Sequence, residues 1–329
     1  MFKFVKDVDI PAELAPQLVV VIDTEEEFNW NDPVERSKTS VAHMEMLDRC
    51  QDIFNEYKVK PCYVIGYPVA SQADGCRLLK SFHQQGLCEI GAHLHPWVTP
   101  PFSEELSTFN TYPGNLPEPL EFEKLKNLKA LIDSEFQQET IIYKAGRYGF
   151  GPNTEKILQQ LGFQIDISVC PPVDYRGDGG PDYRAYSHTP FWFGEQQLLE
   201  LPVTGAYVGL AGNNSQGLYE WSQHYKSLKM PAILSRLGVV DRLMLSPEGY
   251  TSAEHKLITK SLLKQGVRVF TWSFHSPSIE VGHTPYVRTE QELRIFLDKF
   301  RRFFDFFFHE LGGQPSSPQM LLDRFKHGK

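Results

Sequence analysis

Five apolar residues in succession, Leu18-Val19-Val20-Val21-Ile22, run directly into Asp23. An unbroken apolar run this short reads as a strand covered on both faces, which is how strands of parallel sheets are written. Comparable extended stretches recur at Pro61–Ile65, Cys88–His93, Thr140–Ala145, Phe163–Ser168, Leu198–Val203, Arg242–Leu245 and Val267–Phe274. Helical patterns lie between them. Ser40 reads as the N-cap of a helix reaching about Tyr57. A second helix runs from Ala73 to Gln85 and stops at Gly86, and a third from Leu120 to Gln137 carries Pro119 in its first turn. Asn153 caps a helix ending at Gly162, and Ser252 to Lys264 ends at Gly266. Thr289 and Glu292 form a capping box for a last long helix whose Leu293, Phe296, Leu297, Phe300, Phe303, Phe304 and Phe307 recur at helical spacing. Strand and helix in alternation predict parallel βαβ units, closed as a barrel or open as a doubly wound sheet. In both, function gathers at the C-terminal ends of the strands.

The hydrophobic share of 41% suffices for a large core. A net charge of -8 argues against nucleic acid as a partner, because phosphate backbones need clustered Lys and Arg. Five scattered cysteines, Cys50, Cys62, Cys76, Cys88 and Cys170, give neither a disulfide framework nor a thiolate metal site. No run of eighteen apolar residues predicts a membrane span, and Met1 to Pro16 has no signal-peptide core, so a cytoplasmic location is expected.

Polar clusters stand where that architecture predicts them. After the first strand comes Asp23-Thr24-Glu25-Glu26-Glu27. It is a solvated acidic loop unless its carboxylates face a pocket, where one can bind a metal and another take a proton. Next is Gly91-Ala92-His93-Leu94-His95-Pro96-Trp97. In extended chain an H-x-H places both imidazoles on one face, about 6.6 Å apart at the backbone, close enough to converge on one ion. The third is Lys144-Ala145-Gly146-Arg147-Tyr148-Gly149-Phe150-Gly151, a turn without the spacing of a phosphate loop or a dinucleotide fingerprint. Its arginine can pair with a site carboxylate and its backbone N–H groups can face an oxyanion. The fourth is Phe274-His275-Ser276-Pro277-Ser278, where a strand-end histidine can act as general acid and no nucleophile elbow surrounds the serines. Beyond it, Gly282-His283-Thr284-Pro285-Tyr286 reads as a cleft-lining loop. Asp166, Asp174, Asp178 and Asp182 lie in or near a long Gly/Pro/Asp-rich stretch that reads as a lid or an excursion. Trp30, Trp97, Tyr148, Tyr175 and Trp192 flank the clusters and suit stacking on a sugar as well as core packing.

In this order the clusters resemble the motifs of the polysaccharide deacetylase family, the NodB-homology domain or carbohydrate esterase family four, and most nearly its WalW-like subgroup. The resemblance spans roughly residues 15 to 310. It implies an α/β fold, a distorted (β/α) barrel of about seven strands. It further implies that Asp23 is the base, that Glu25, His93 and His95 bind a divalent metal, Zn2+ by expectation, and that Arg147 orients Asp23. By the same resemblance His275 is the acid and Asp174 tunes it; from their place beside the clusters, Tyr148, Trp97, Trp30 and His283 are expected to contact an N-acetylated saccharide. Two departures stand out: Asp23-Thr24-Glu25 replaces the family's adjacent acids, and the histidines are two apart rather than four. Either Asp23 or Glu25 fits as the carboxylate ligand.

The expected activity is removal of an N-acetyl group from an amino sugar in a polysaccharide or glycan precursor. The alternatives are hydrolysis of another amide, cyclic ones included, and saccharide binding without catalysis. The expected organisation is an N-terminal extension at 1–14, a catalytic barrel at 15–315 and a C-terminal tail at 316–329. Nothing in the sequence sets an oligomeric state.

Overall fold

A computed structural model describes residues 2–30, 32–195 and 197–327. The apolar runs become the strands β1 (Gln17–Thr24), β2 (Cys62–Ile65), β3 (Glu89–Leu94), β4 (Ile142–Ala145), β5 (Ile165–Asp166) and β6 (Leu198–Glu200), every residue of them buried. Later come β7 (Gly205–Val208), β8 (Asp241–Met244) and β9 (Val269–His275). Seven of these lie parallel in the order β9-β1-β2-β3-β4-β5-β6. Helices α1 (Asp48–Glu56), α2 (Ala73–Gln84), α3 (Glu118–Phe136) and α4 (Thr154–Gln160) connect them. The excursion helices α5 (Ser215–Gln223) and α6 (Met230–Arg236) follow, then α7 (Ser252–Lys264) and α8 (Glu290–Phe304).

The sheet curls but is not closed by a ladder: among the described residues none joins β6 to β9. Single hydrogen bonds span that seam instead. Leu245 N–H donates to Thr204 O at 2.8 Å, Ser273 N–H to Leu245 O at 3.3 Å, and the Thr271 hydroxyl to Pro202 O at 3.0 Å. The fold is thus the expected α/β barrel in distorted, half-open form. β7 and β8 pair antiparallel beside the seam, and the chain between them carries α5 and α6.

Several elements differ from the sequence reading. Ser40 caps nothing; its hydroxyl donates to Glu27 at 2.6 Å, and a short 3-10 turn at Ala42–Met46 precedes α1. Segments near both ends pair into the sheet. Lys6–Asp7 forms an outer antiparallel edge against Phe191–Phe193. Gln314–Ser316 pairs with the first half of β1, below the point where β2 takes over that edge. The predicted tail is a helix, Pro318–His327, whose Leu321 and Leu322 are buried in the smaller core beneath the sheet. Pro315 and Ser316 thus belong to the sheet.

The phenylalanines of α8 cover the barrel. Phe296, Phe300, Phe303 and Phe304 are buried against Trp272 and Phe274 of β9, with Trp272 and Phe303 ring centroids 4.2 Å apart. Each buried phenylalanine contributes about 1.5–3 kcal/mol relative to an exposed one, so this face is committed to the core. His255 of α7 joins the cluster, its ring 4.8 Å from Trp272 and its Nε2–H donating to Ser246 O at 2.7 Å. Burial pushes this imidazole down to about 4 from its ordinary 6.5. Between those values the unfolded chain takes up a proton that the native state refuses. Stability therefore falls as pH drops from 6.5 towards 4, by ~3 kcal/mol in full. Chemical denaturation across that range should show the loss in the wild type and a flatter profile in His255→Phe; identical profiles would exclude His255 as its source.

Candidate active site

The register of the parallel sheet assembles the site. β9 against β1 sets His275 beside Asp23, and β3 against β4 sets His93 beside Lys144. All four lie at the C-terminal ends of their strands, where helices cannot cover them. Above them is a cavity of about 640 Å³, lined among others by Asp23, Glu25, His93, His95, Arg147, Tyr148, Trp97, Trp30, Glu248 and His275.

Glu25, His93 and His95 are buried and offer three ligand atoms within 4.8 Å of one another. Glu25 Oε2 is 3.6 Å from His93 Nε2 and 3.4 Å from His95 Nε2. Two donors about 2.0–2.1 Å from a tetrahedral zinc stand about 3.3 Å apart, so the set fits such an ion. The imidazoles are also turned correctly. His93 Nδ1–H donates to Lys144 O at 3.0 Å and His95 Nδ1–H to Glu26 Oε1 at 3.0 Å, which leaves each Nε2 lone pair pointing at Glu25. Trp97 stacks on His95 with centroids 4.1 Å apart. Gly146 allows the neighbouring turn to approach: a Cβ there would lie 2.3 Å from Leu94 O and 2.5 Å from the His95 ring. Burial pushes His93 down, whereas at His95 the surrounding Glu26, Glu25 and Asp23 outweigh burial and raise it.

Asp23 is not in that triad. Both its oxygens accept from the buried Lys144 ammonium, at 2.5 and 2.8 Å. Burial alone would raise its carboxyl, but Lys144, His93 and His275 together hold it below its ordinary value. His275 Nε2 faces Asp23 Oδ2 at 3.6 Å, while its Nδ1–H donates to Glu248 Oε2 at 2.8 Å. Glu248 also accepts from His275 N–H and from the Ser278 hydroxyl. Burial works against the imidazolium, yet Glu248, Glu25 and Asp23 lift it to about 9. At neutral pH it stands charged with Nε2–H directed into the cavity.

Two expected partnerships are not made. Arg147 does not orient Asp23; Lys144 takes that place. The arginine instead reaches Thr111 Oγ1 at 2.6 Å and Asp178 at 3.2 Å, and lies over the Tyr112 ring at the cavity rim. It gets there because Arg147 and Tyr148 both adopt positive φ, 53° and 57°, which swings the guanidinium outward. Asp174 does not tune His275; Glu248 does. Asp174 is held in its own loop by Arg176 at 2.9 Å and Arg184 at 3.4 Å. Among the expected substrate contacts, Tyr148 lies under the Lys144 ammonium at 4.9 Å, and Trp30 meets His275 edge-on at 4.5 Å. His283 lines an adjoining cavity of about 520 Å³ that shares Phe28, Trp30, Asp32 and Pro33 with the first. There it forms a second, more open group with Glu27 and Glu280. Glu27 already accepts from Ser40 and from the backbone and ring of His43.

The residues that sequence reasoning missed are Lys144 and Glu248, and behind them a relay. The His43 ring bridges Glu27 and Ser276, with Nδ1 2.9 Å from Glu27 Oε1 and Nε2 2.7 Å from Ser276 Oγ. That oxygen in turn accepts from Glu25 N–H at 3.3 Å. A lysine penultimate in an otherwise apolar strand was the available signal for Lys144. Lys144→Met should leave Asp23 buried without its cation and cost ~3–5 kcal/mol in chemical denaturation. Adding Asp23→Asn should recover most of that loss; no recovery would mean that the stem of Lys144, not the ion pair, matters.

No protein-family model and no curated protein matches the chain. Solved structures do. A candidate polysaccharide deacetylase from Mycobacterium smegmatis superposes with a TM-score of 0.53 at 13% identity, over 98% of this chain and 94% of that one. The Puue allantoinase superposes with a TM-score of 0.54 at 12% identity, over 98% and 94% respectively. At such identities the likeness is one of fold: this chain has the α/β half-barrel that those two structures share.

Proposed function

We propose that this chain is a metal-dependent deacetylase of the carbohydrate esterase four type, removing the N-acetyl group of an amino sugar in a polysaccharide or glycan precursor. The observation that carries this reading is one geometry: the triad Glu25, His93 and His95 is flanked by the Lys144-held Asp23 and by His275. Asp23 and His275 are opposite in charge and face each other across 3.6 Å. That is the pairing an amide hydrolase needs, a base for water and an acid for the departing amine.

A divalent ion on Glu25, His93 and His95, Zn2+ by the N,N,O donor set, would polarise the acetyl carbonyl and acidify a water. The chain's own groups do the rest. Lys144 keeps Asp23 anionic and fixed, so that its carboxylate accepts the water proton as the nucleophile attacks. A backbone N–H of the 146–148 turn faces the developing oxyanion. His275, charged and oriented by Glu248, delivers its Nε2 proton to the leaving nitrogen, without which the tetrahedral intermediate returns to substrate. Tyr148, Trp97 and Trp30 supply the aromatic walls for a sugar ring, with Arg147 at the rim and His283 in the adjoining cavity for a longer substrate.

Chelator treatment should abolish acetate release from N-acetylated saccharides, and added Zn2+ should restore it. His275→Ala should retain the metal, measured by elemental analysis, and lose at least roughly a hundredfold in kcat. Metal loss in that variant would assign His275 to the ligand set instead. Release of no acetate from a broad saccharide panel would overturn the reading. The panel should include allantoin and other cyclic amides, because the fold is shared equally with an allantoinase.

A further inference from the structure

The chain between β7 and β8 has no part in the site, yet it carries an unusual surface. Of fifteen exposed large apolar side chains among the described residues, six fall here: Leu210, Trp221, Tyr225, Leu228, Ile233 and Leu237. Leu210 is 86% exposed, and Leu228 and Leu237 are each 65% exposed. They are linked in space by short steps. The Trp221 and Tyr225 rings are 5.0 Å apart. Tyr225 O accepts from Leu228 N–H and Met230 N–H. Ile233 and Leu237 are one helical turn apart, and Leu210 N–H donates to Gly238 O at 3.0 Å, next to Leu237.

The charge on this segment is as uneven as its hydrophobicity. From Trp221 to Val240 the sequence contains Lys226, Lys229 and Arg236 and no acidic residue, in a chain with 41 acidic and 33 basic residues. All three cations are exposed. Exposed Leu and Ile with Trp and Tyr among Lys and Arg is the composition of a segment that lies in a lipid headgroup layer. A symmetric contact with a second copy would set these cations against themselves.

We propose that the 209–240 excursion is an interfacial docking element that seats this protein on an anionic lipid surface. The apolar side chains enter the headgroup boundary, and Lys226, Lys229 and Arg236 meet lipid phosphates. Among the described residues no helix is long and apolar enough to cross a membrane, and the attachment proposed is peripheral. The element is anchored to the cavity wall. Arg242 and Met244 of β8 line the cavity, Arg242 lies over Tyr219 of α5 at 5.7 Å, and Arg184 pairs with Glu220 at 3.2 Å. Docking therefore holds the cavity close to the bilayer, and, on the deacetylase reading, selects a glycan carried on a lipid.

The test is cosedimentation of the full chain with vesicles of phosphatidylcholine alone or mixed with phosphatidylglycerol. It needs no enzymatic activity, so its outcome is independent of the deacetylase reading. The wild type should bind the mixed vesicles, weakly bind the neutral ones, and release at high salt. The triple variant Trp221→Ser, Leu228→Ser, Leu237→Ser should lose at least about tenfold in partitioning. Lys226→Gln, Lys229→Gln, Arg236→Gln should lose roughly fivefold per cation. Leu210→Ser, at the most exposed position, should weaken binding with no change in melting temperature. Absence of binding to mixed vesicles, or equal binding by all variants, would overturn the proposal. So would a wild-type dimer in sedimentation equilibrium that the serine variant dissociates, since a second copy would then cover this face.

Discussion

The buried ion pair between Lys144 and Asp23 is the interaction on which the site depends. It joins β4 to β1 across two intervening strands, at distances of 2.5 and 2.8 Å. A buried carboxylate without a cation would take up a proton and cease to be a base; a buried lysine without an anion would discharge. Each group is tolerable only because the other is there. Around this pair His93 of β3 and His95 just past its end turn their Nε2 atoms to Glu25, and His275 approaches from the other side of β1. The parallel register does the positioning, since it fixes which strand-end residues share a level.

Much of this was legible in the sequence because burial on both faces leaves a simple trace. The continuous apolar run at Leu18–Ile22 and the β-branched and aromatic stretch Val267–Phe274 marked two adjacent strands of the sheet, and the polar residues just past them marked where a site would form. Asp23, Glu25, His93, His95 and His275 are brought together at one cavity. Lys144 was quoted but not given weight, because a lysine in sequence reads as solvated and only a tertiary partner makes it a core residue. Glu248 sits in a Ser-Pro-Glu-Gly turn, and its task comes from hydrogen bonds with His275 and Ser278 that no local pattern announces. Arg147 and Asp174 were displaced for the converse reason: nearer partners, Asp178 for one and Arg176 for the other, satisfy them first.

The elements that escaped sequence reading share a cause. The strand Gly205–Val208 and the two short helices that follow it have no sustained period, since many of their apolar residues face outward. The final helix is short, and its Leu321 and Leu322 would look incidental without the sheet they cover. Both belong to surfaces decided by what lies opposite them rather than by repetition along the chain.

The placement of β1 has a consequence for how this protein is made. The strand Gln17–Thr24 leaves the ribosome well before two of the strands that pair with it. Its flanking strands include Val269–His275 on one edge and Gln314–Ser316 on the other. Until those partners are translated, a strand with five consecutive apolar residues, Leu18–Ile22, waits with an open edge. Contacts so distant in sequence form slowly, and an unpaired apolar edge is the region most exposed to wrong pairing in the meantime. The arrangement that centres the site on β1 also makes that strand the nascent chain's chief claim on a chaperone.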